Sequence, residues 1–194
     1  MLALIQCENN KENKLAEILK KLGQTYKVTS IESDICNCDK VILCGSGSPD
    51  LNLKALHLLN LYSLLRMLKK PMLGIGIGVE LMSDHTPGEN ISCLGLFPVE
   101  SNKFSEDKNY NSQSGLKKIN IVKNSKLFEG INSGDEFYFS ENYYLPENKY
   151  TTSIVQNGFT FSASVEKGNA FGVQFHPEIS GETGLKLLEN FIKL

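Results

Sequence analysis

Apolar residues in the first half of the chain alternate between short continuous runs and helical spacing. The runs predict buried strands over residues 2–6, 26–31, 40–44 and 72–75. Apolar residues three or four positions apart predict helices over residues 12–22, 51–68 and 77–83. Strands that alternate with helices in this way predict right-handed crossovers and a parallel sheet with helices on both faces.

The second half is dominated by strand patterns. Strands are predicted over residues 116–122, 136–144, 151–155, 159–165 and 170–175. Gln156-Asn157-Gly158 and Lys167-Gly168-Asn169 are turn signals between consecutive strands, so this region is expected to be antiparallel. A last amphipathic helix is predicted over residues 182–192. With no internal repeat or linker, residues 1–194 are expected to form one α/β domain.

Charge and composition narrow the range of partners. The formal net charge is −2 and Arg66 is the single arginine, which argues against binding to nucleic acid or to an anionic membrane surface. No apolar run is long enough to span a bilayer, and the basic segment of a secretory signal is not seen at the start. We expect a protein without membrane or nucleic-acid partners.

Cysteine usage indicates a reducing compartment. The chain has five cysteines at irregular spacing, an odd number that favours free thiols in the cytoplasm over a disulfide framework. Cys36 and Cys38 form a lone close pair without a second pair or a nearby histidine, so no zinc site is predicted.

Three short stretches with chemical potential each follow a predicted strand. They are residues 45–47 (Gly-Ser-Gly), 74–78 (Gly-Ile-Gly-Ile-Gly) and 176–178 (His-Pro-Glu). Ligands of open α/β sheets bind beyond the carboxyl ends of the strands, where these stretches are expected to lie.

His176 and Glu178 form a candidate acid–base pair. On an extended segment, residues two positions apart share a face, so the carboxylate is expected to lie beside the imidazole and to support its protonated form. Taken alone, the tripeptide is also compatible with an ordinary surface turn.

Residues 74–78 have the outline of a nucleophile elbow, a tight strand-to-helix turn with small flanking residues. The middle position, where such an elbow carries Ser or Cys, is Gly76. A dinucleotide-binding loop and a turn that only allows close packing are the alternatives.

Residues 45–47 offer backbone N–H groups for an oxyanion or a phosphate, or form a plain surface turn.

Together, the three stretches and their order resemble the triad-type class I glutamine amidotransferases. The resemblance is closest to the glutaminase subunit of imidazole glycerol phosphate synthase. It covers nearly the whole chain, and further matching stretches are residues 71–75, 94–98, 137–139, 143–144 and 172–178. It implies a flavodoxin-like α/β fold, an added antiparallel region and no cofactor or metal.

The resemblance also implies residue roles. His176 and Glu178 match the catalytic base and its carboxylate, and Gly76 occupies the position of the nucleophilic cysteine. The substrate and oxyanion positions fall on Gly45, Gly47, Ile77, Glu80 and Glu141.

Several of these positions depart from the family pattern. Gly76 has no nucleophilic atom, Glu80 replaces a substrate-contacting glutamine, and Glu141 replaces a common histidine. Residues 44–47 and 7–10 also differ from the family's loops. Changes gathered around one pocket favour loss of glutaminase activity, with a glycine at position 76 that keeps a positive φ and so relieves strain.

Three functions therefore remain open from the sequence. The favoured hypothesis is a degenerate, partner-binding or regulatory subunit of an ammonia-using synthase. The second is an active glutaminase that supplies ammonia to a histidine-pathway cyclase or an amino-sugar synthase. Cys44 is not expected to act as its nucleophile, because its expected position is on the wrong wall of the pocket. The third is a sensor that binds glutamine.

Overall fold

The computed structural model describes residues 1–6, 14–86, 92–104, 114–140 and 142–194. The strands found there are β1 (Leu2–Gln6), β2 (Tyr26–Val28), β3 (Lys40–Cys44), β4 (Met72–Ile75), β5 (Asn102–Lys103), β6 (Gly115–Lys118), β7 (Asn120–Ile121), β8 (Glu136–Phe139), β9 (Tyr143–Tyr144), β10 (Thr151–Asn157), β11 (Phe159–Lys167) and β12 (Ala170–Val173). The helices are α1 (Lys14–Lys21), α2 (Glu32–Asn37), α3 (Pro49–Leu58), α4 (Leu61–Met67), α5 (Ile77–Leu81) and α6 (Gly181–Lys193).

Eight of the described strands form one central sheet in the order β2-β1-β3-β4-β12-β11-β10-β7. The neighbours from β2 to β12 are parallel, and β11, β10 and β7 add an antiparallel extension. Two small antiparallel sheets, β5-β9 and β6-β8, complete the described strands. This arrangement confirms the predicted α/β class with its mostly parallel sheet and its antiparallel region.

The central sheet is covered on both faces because its inner strands carry apolar side chains on both faces. In β1, Leu2 and Leu4 enter a core cluster that includes side chains of α1 and α6. Ala3 and Ile5 enter a second cluster, which includes side chains of α2, α3, α4 and α5. Burial of alternate residues on opposite faces is what fixes the strand register.

The predicted strand 26–31 and helix 51–68 differ from the structure. β2 ends at Val28 because the Thr29 hydroxyl accepts from the Ile31 N–H and donates to Asp34, which turns the chain into the unpredicted α2. The long helix is two helices, since Asn60 adopts a left-handed conformation with φ 57° between them.

Two predicted strands are also divided. The segment 116–122 gives β6, which pairs with β8, and β7, which joins the central sheet beside β10. The segment 136–144 gives β8 and β9, which belong to different small sheets. Both predicted turns are confirmed, with Gly158 at φ 79° and Gly168 at φ 62° between antiparallel strands. No helix in the described part of the chain is long and apolar enough to cross a membrane.

Candidate active site

The three stretches singled out in the sequence lie at one edge of the sheet. They follow β3, β4 and β12, which are adjacent parallel strands in that order. Leu43 of β3 pairs with Gly74 of β4, and Ile75 of β4 pairs with Val173 of β12. Because the carboxyl ends of parallel strands meet at one edge, the loop after each strand borders the same cleft.

Gly76 forms a tight elbow between β4 and α5. Its backbone has φ 54° and ψ −119°, a region that side-chain-bearing residues rarely adopt. The expected positive φ is therefore present. Its N–H donates to the Val173 carbonyl at 2.9 Å, which ties the elbow to β12.

The glycines on either side of Gly76 allow the elbow to pack closely. A Cβ on Gly78 would lie 2.0 Å from the carbonyl oxygen of Leu43, and a Cβ on Gly74 would lie 2.7 Å from the backbone carbon of Gly78. Both contacts are shorter than any real side chain tolerates, so α5 rests directly on the end of β3.

His176 and Glu178 are in direct contact. The imidazole Nδ1 lies 2.7 Å from Glu178 Oε1, and the two side chains are 21% and 16% exposed. The second carboxylate oxygen, Oε2, is buried and has no hydrogen bond within the described residues. A carboxylate on Nδ1 fixes the tautomer and the orientation of the ring and supports its protonated form.

The backbone that brings these residues together is not the expected extended segment. Residues Pro177–Ile179 form a 3-10 turn, so Glu178 approaches His176 across a turn and not along one face of a strand. A Cβ on Gly184 would lie 2.0 Å from the Pro177 carbonyl oxygen, so α6 packs closely against this turn. Pro177 supports the turn because its fixed φ suits the first position of a helix.

Residues 45–47 lead from β3 into α3. Gly47 is left-handed with φ 78°, and the Ser48 hydroxyl accepts from the Leu51 N–H as the cap of the helix. Capping at Ser48, followed by Pro49, sets where the loop ends.

Ile77 and Glu80 lie on α5 and are both buried, at 4% and 0% exposure. Burial raises the pKa of the nearby Tyr143 hydroxyl, and the negative charges of Glu80 and Asp50 raise it further. Glu141, another candidate substrate position, lies outside the described residues.

The comparisons with known proteins cover the chain from end to end. The family model for class I glutamine amidotransferases matches residues 3–194. The chain belongs to the class I glutamine amidotransferase family. The solved "Crystal structure of glutamine amidotransferase" has a TM-score of 0.77 at 15% identity and covers 98% of this chain and 97% of its own. A glutamine amidotransferase from Thermotoga maritima has a TM-score of 0.66 at 14% identity, covering 100% and 83%.

Two relatives with higher sequence identity to this chain are named as synthase subunits. Imidazole glycerol phosphate synthase subunit HisH 2 of Legionella pneumophila is 34% identical over 195 residues, covering 100% of this chain and 98% of that protein. The HisH subunit of Haemophilus influenzae is 34% identical over 187 residues, covering 96% and 93%. The resemblance to the imidazole glycerol phosphate synthase glutaminase subunit is thereby confirmed.

Three of the four described cysteines, Cys38, Cys44 and Cys93, are buried or partly buried in the packed interior, and Cys36 is exposed. Cys44 lies at the end of β3, with its thiol 3.6 Å from the Ile5 carbonyl oxygen and its side chain against the core that includes α1 and α6. Burial raises the pKa of Cys93 to about 12 and also raises that of Cys38. Among the described residues, no cluster of three or more His, Cys, Asp or Glu side chains could hold a metal.

Alkylation should therefore discriminate among these thiols. Because only the thiolate reacts, Cys93 and Cys38 are expected to resist iodoacetamide at pH 8 in the native chain, while the exposed Cys36 reacts first. Peptide mass mapping over time measures this order. Rapid native labelling of Cys93 would contradict its burial, and unfolding in urea should make the rates converge.

Ser180 is a site residue that the sequence analysis did not single out. Its hydroxyl donates to the His176 carbonyl at 2.6 Å and accepts from the Tyr138 N–H at 2.9 Å. The His176 N–H in turn donates to the Tyr138 carbonyl at 2.8 Å. Ser180 thus ties the 3-10 turn to β8, at a distance of 42 residues along the chain. No local pattern indicates such a contact.

Removing this hydroxyl is expected to loosen the turn. Ser180→Ala leaves the partly buried Tyr138 N–H without its acceptor and should lower the free energy of unfolding by about 1–3 kcal/mol. Urea denaturation measures the loss. Ser63→Ala, at an exposed position of α4, is the matched control and should change stability by less than about 0.5 kcal/mol. Equal effects of the two changes would show that the Ser180 hydroxyl does not stabilise the turn.

Proposed function

We propose that this chain is a non-hydrolysing subunit of an ammonia-using synthase, which it binds and stabilises or regulates. The observation that carries the proposal is Gly76 at the elbow, the position for which the family resemblance implies a cysteine. Class I amidotransferases cleave glutamine through a thioester, and glycine offers no atom to form one.

The geometry around Gly76 supports a frame kept without its nucleophile. The backbone at φ 54° and ψ −119° has the positive φ of an elbow, which glycine adopts without strain, and His176 and Glu178 are in contact at 2.7 Å. A fold that holds these features in place also keeps the surfaces around them. The relatives named as synthase subunits support a protein partner for this chain as well.

The partner is proposed to be a synthase or cyclase that accepts ammonia. Purification of the tagged chain from its source cell, followed by mass spectrometry, should recover one such enzyme in a stoichiometric complex. Size-exclusion chromatography with light scattering of the recovered complex then measures the subunit ratio. A chain that is strictly monomeric in the cell extract, with no enzyme bound, would overturn the proposal.

An active glutaminase is the second candidate, and one observation favours it. The contact between His176 and Glu178 holds a base that can activate a water molecule directly. In that case the purified complex releases ammonia from glutamine, and His176→Ala abolishes the release. The non-hydrolysing proposal expects no ammonia above the uncatalysed background from the same complex, with or without that change.

A further inference from the structure

The loop of residues 45–48, at the carboxyl end of β3, is hydrogen-bonded to one buried amide side chain of α3. Asn52 lies in the first turns of α3 and is 1% exposed. Its Nδ2 donates to the carbonyl oxygens of Ser46 and Ser48, each at 2.7 Å. Both partners are carbonyl oxygens, which only accept, so the orientation of the amide is fixed by chemistry.

These two hydrogen bonds decide which way the loop's peptide groups face. In a trans peptide the C=O and the N–H point in opposite directions, and no cis peptide is present among the described residues. With the Ser46 carbonyl directed at Asn52, the N–H of Gly47 is directed away from α3. That N–H makes no hydrogen bond with the backbone of any described residue. The peptide after Ser48 has no N–H, because Pro49 follows.

Gly45 and Asn52 are fitted to each other. A Cβ on Gly45 would lie 2.2 Å from Asn52 Oδ1 and 3.0 Å from its Cγ, so any side chain at position 45 would displace the amide. Gly47 at φ 78° supplies the left-handed residue that the turned peptide requires. The two glycines therefore allow the loop conformation, and Asn52 selects it.

The loop borders the elbow. It follows Leu43 and Cys44, whose backbone would lie 2.0 Å and 3.5 Å from a Cβ on Gly78. We propose that Asn52 is the positioning residue that keeps the Gly47 N–H directed into the cleft beside Gly76, as a preset cradle for an anionic oxygen. This inference rests on the proposed role of residues 45–47 as the oxyanion loop. Asn52 itself touches no reacting atom.

The substitution Asn52→Asp tests the inference, because it keeps the side-chain shape nearly constant but removes the Nδ2 donor. A carboxylate cannot donate to the two carbonyl oxygens. A crystal structure of this variant should show the Ser46–Gly47 peptide rotated away from residue 52, with Gly47 out of its φ near 78°. Gly45→Ala should give the same rotation by displacing the amide. Asn37→Asp, the same change at an exposed position of α2, should leave the loop as it is. An unrotated peptide in both loop variants overturns the inference.

A catalytic readout separates positioning from simple stability. In the Gly76→Cys background, Asn52→Asp should lower kcat for ammonia release by about 10²–10³-fold and change KM by less than about threefold, as expected when an oxyanion donor is lost. An unchanged kcat in a variant whose peptide has rotated would also overturn the role. If Gly76→Cys alone releases no ammonia, the idea of an intact frame fails, but the crystallographic comparison still decides the role of Asn52.

Discussion

Replacing Gly76 with cysteine is expected to create glutaminase activity in a chain that we propose to be non-hydrolysing. His176 and Glu178 are in contact, and the backbone at position 76 has the positive φ of an elbow. With the proposed Gly47 N–H as the oxyanion donor, the substitution would supply the one missing atom. Loss of the nucleophile costs about 10⁶-fold in comparable hydrolases, on the order of 8 kcal/mol of transition-state stabilisation. The gain should approach that factor, reduced to the extent that Glu80, at the position for which the resemblance implies a substrate-contacting glutamine, weakens the binding of glutamine.

Ammonia release measured with an enzyme-coupled assay, with and without the partner synthase, quantifies the gain. Gly76→Ala is the matched control, since it adds the same Cβ without a thiol and should remain inactive. Adding His176→Ala to Gly76→Cys should remove the acquired activity. An inactive Gly76→Cys chain that folds and binds its partner would contradict the claim that the rest of the site is intact.

Both substitutions at Gly76 should also destabilise the chain. A residue with a side chain at φ 54° and ψ −119° costs about 1–3 kcal/mol, which glycine avoids. The unfolding midpoints of the cysteine and alanine variants should therefore fall together. A midpoint that rises in either variant would show that a side chain at position 76 causes no strain.

Gly78→Ala is expected to have the largest effect on folding stability. Its Cβ would lie 2.0 Å from the Leu43 carbonyl oxygen and 2.9 Å from the Leu43 carbonyl carbon, both backbone atoms that cannot rotate away. Relief requires α5 to move off β3, which disturbs the 45–48 loop as well as the elbow. Overpacking of this kind typically costs about 1–3 kcal/mol, and here we expect a loss of about 3 kcal/mol or more.

Urea denaturation at equilibrium measures this loss. Lys54→Ala, at an exposed position of α3, is the control for a helical alanine and should stay within about 0.5 kcal/mol of the parent chain. A Gly78→Ala chain as stable as this control would mean that α5 does not rest on β3 as described.

Three strands of the parallel half, β1, β3 and β4, were predictable because they are short and mostly apolar. The predicted bounds of β1, β3 and β4 agree with the structure, and the glycine turns before β11 and β12 have the positive φ that their sequences indicate. These elements depend on local signals. The three stretches of the site were predicted to lie at the carboxyl ends of strands. The structure adds that they meet, because β3, β4 and β12 are neighbours in the sheet.

Other features depend on contacts that no local pattern contains. The break at Asn60 occurs within a leucine-rich stretch whose spacing continues through it. The turn at Pro177–Ile179 is held by Ser180 through its contact with β8, and the direction of the 45–48 loop is set by a side chain from the following helix. In these two loops, hydrogen bonds between separate segments override local propensity.

Reaction with a glutamine-mimicking electrophile tests the central claim most directly. The unsubstituted chain, free and in complex with its partner, is incubated with the reagent and then analysed by intact mass and peptide mapping. An empty nucleophile position predicts no adduct on any residue of the cleft, while the Gly76→Cys chain is labelled once at position 76. An adduct on a cleft residue of the unsubstituted chain, or on Cys44, with ammonia release blocked in parallel, would show that the site still has a working nucleophile.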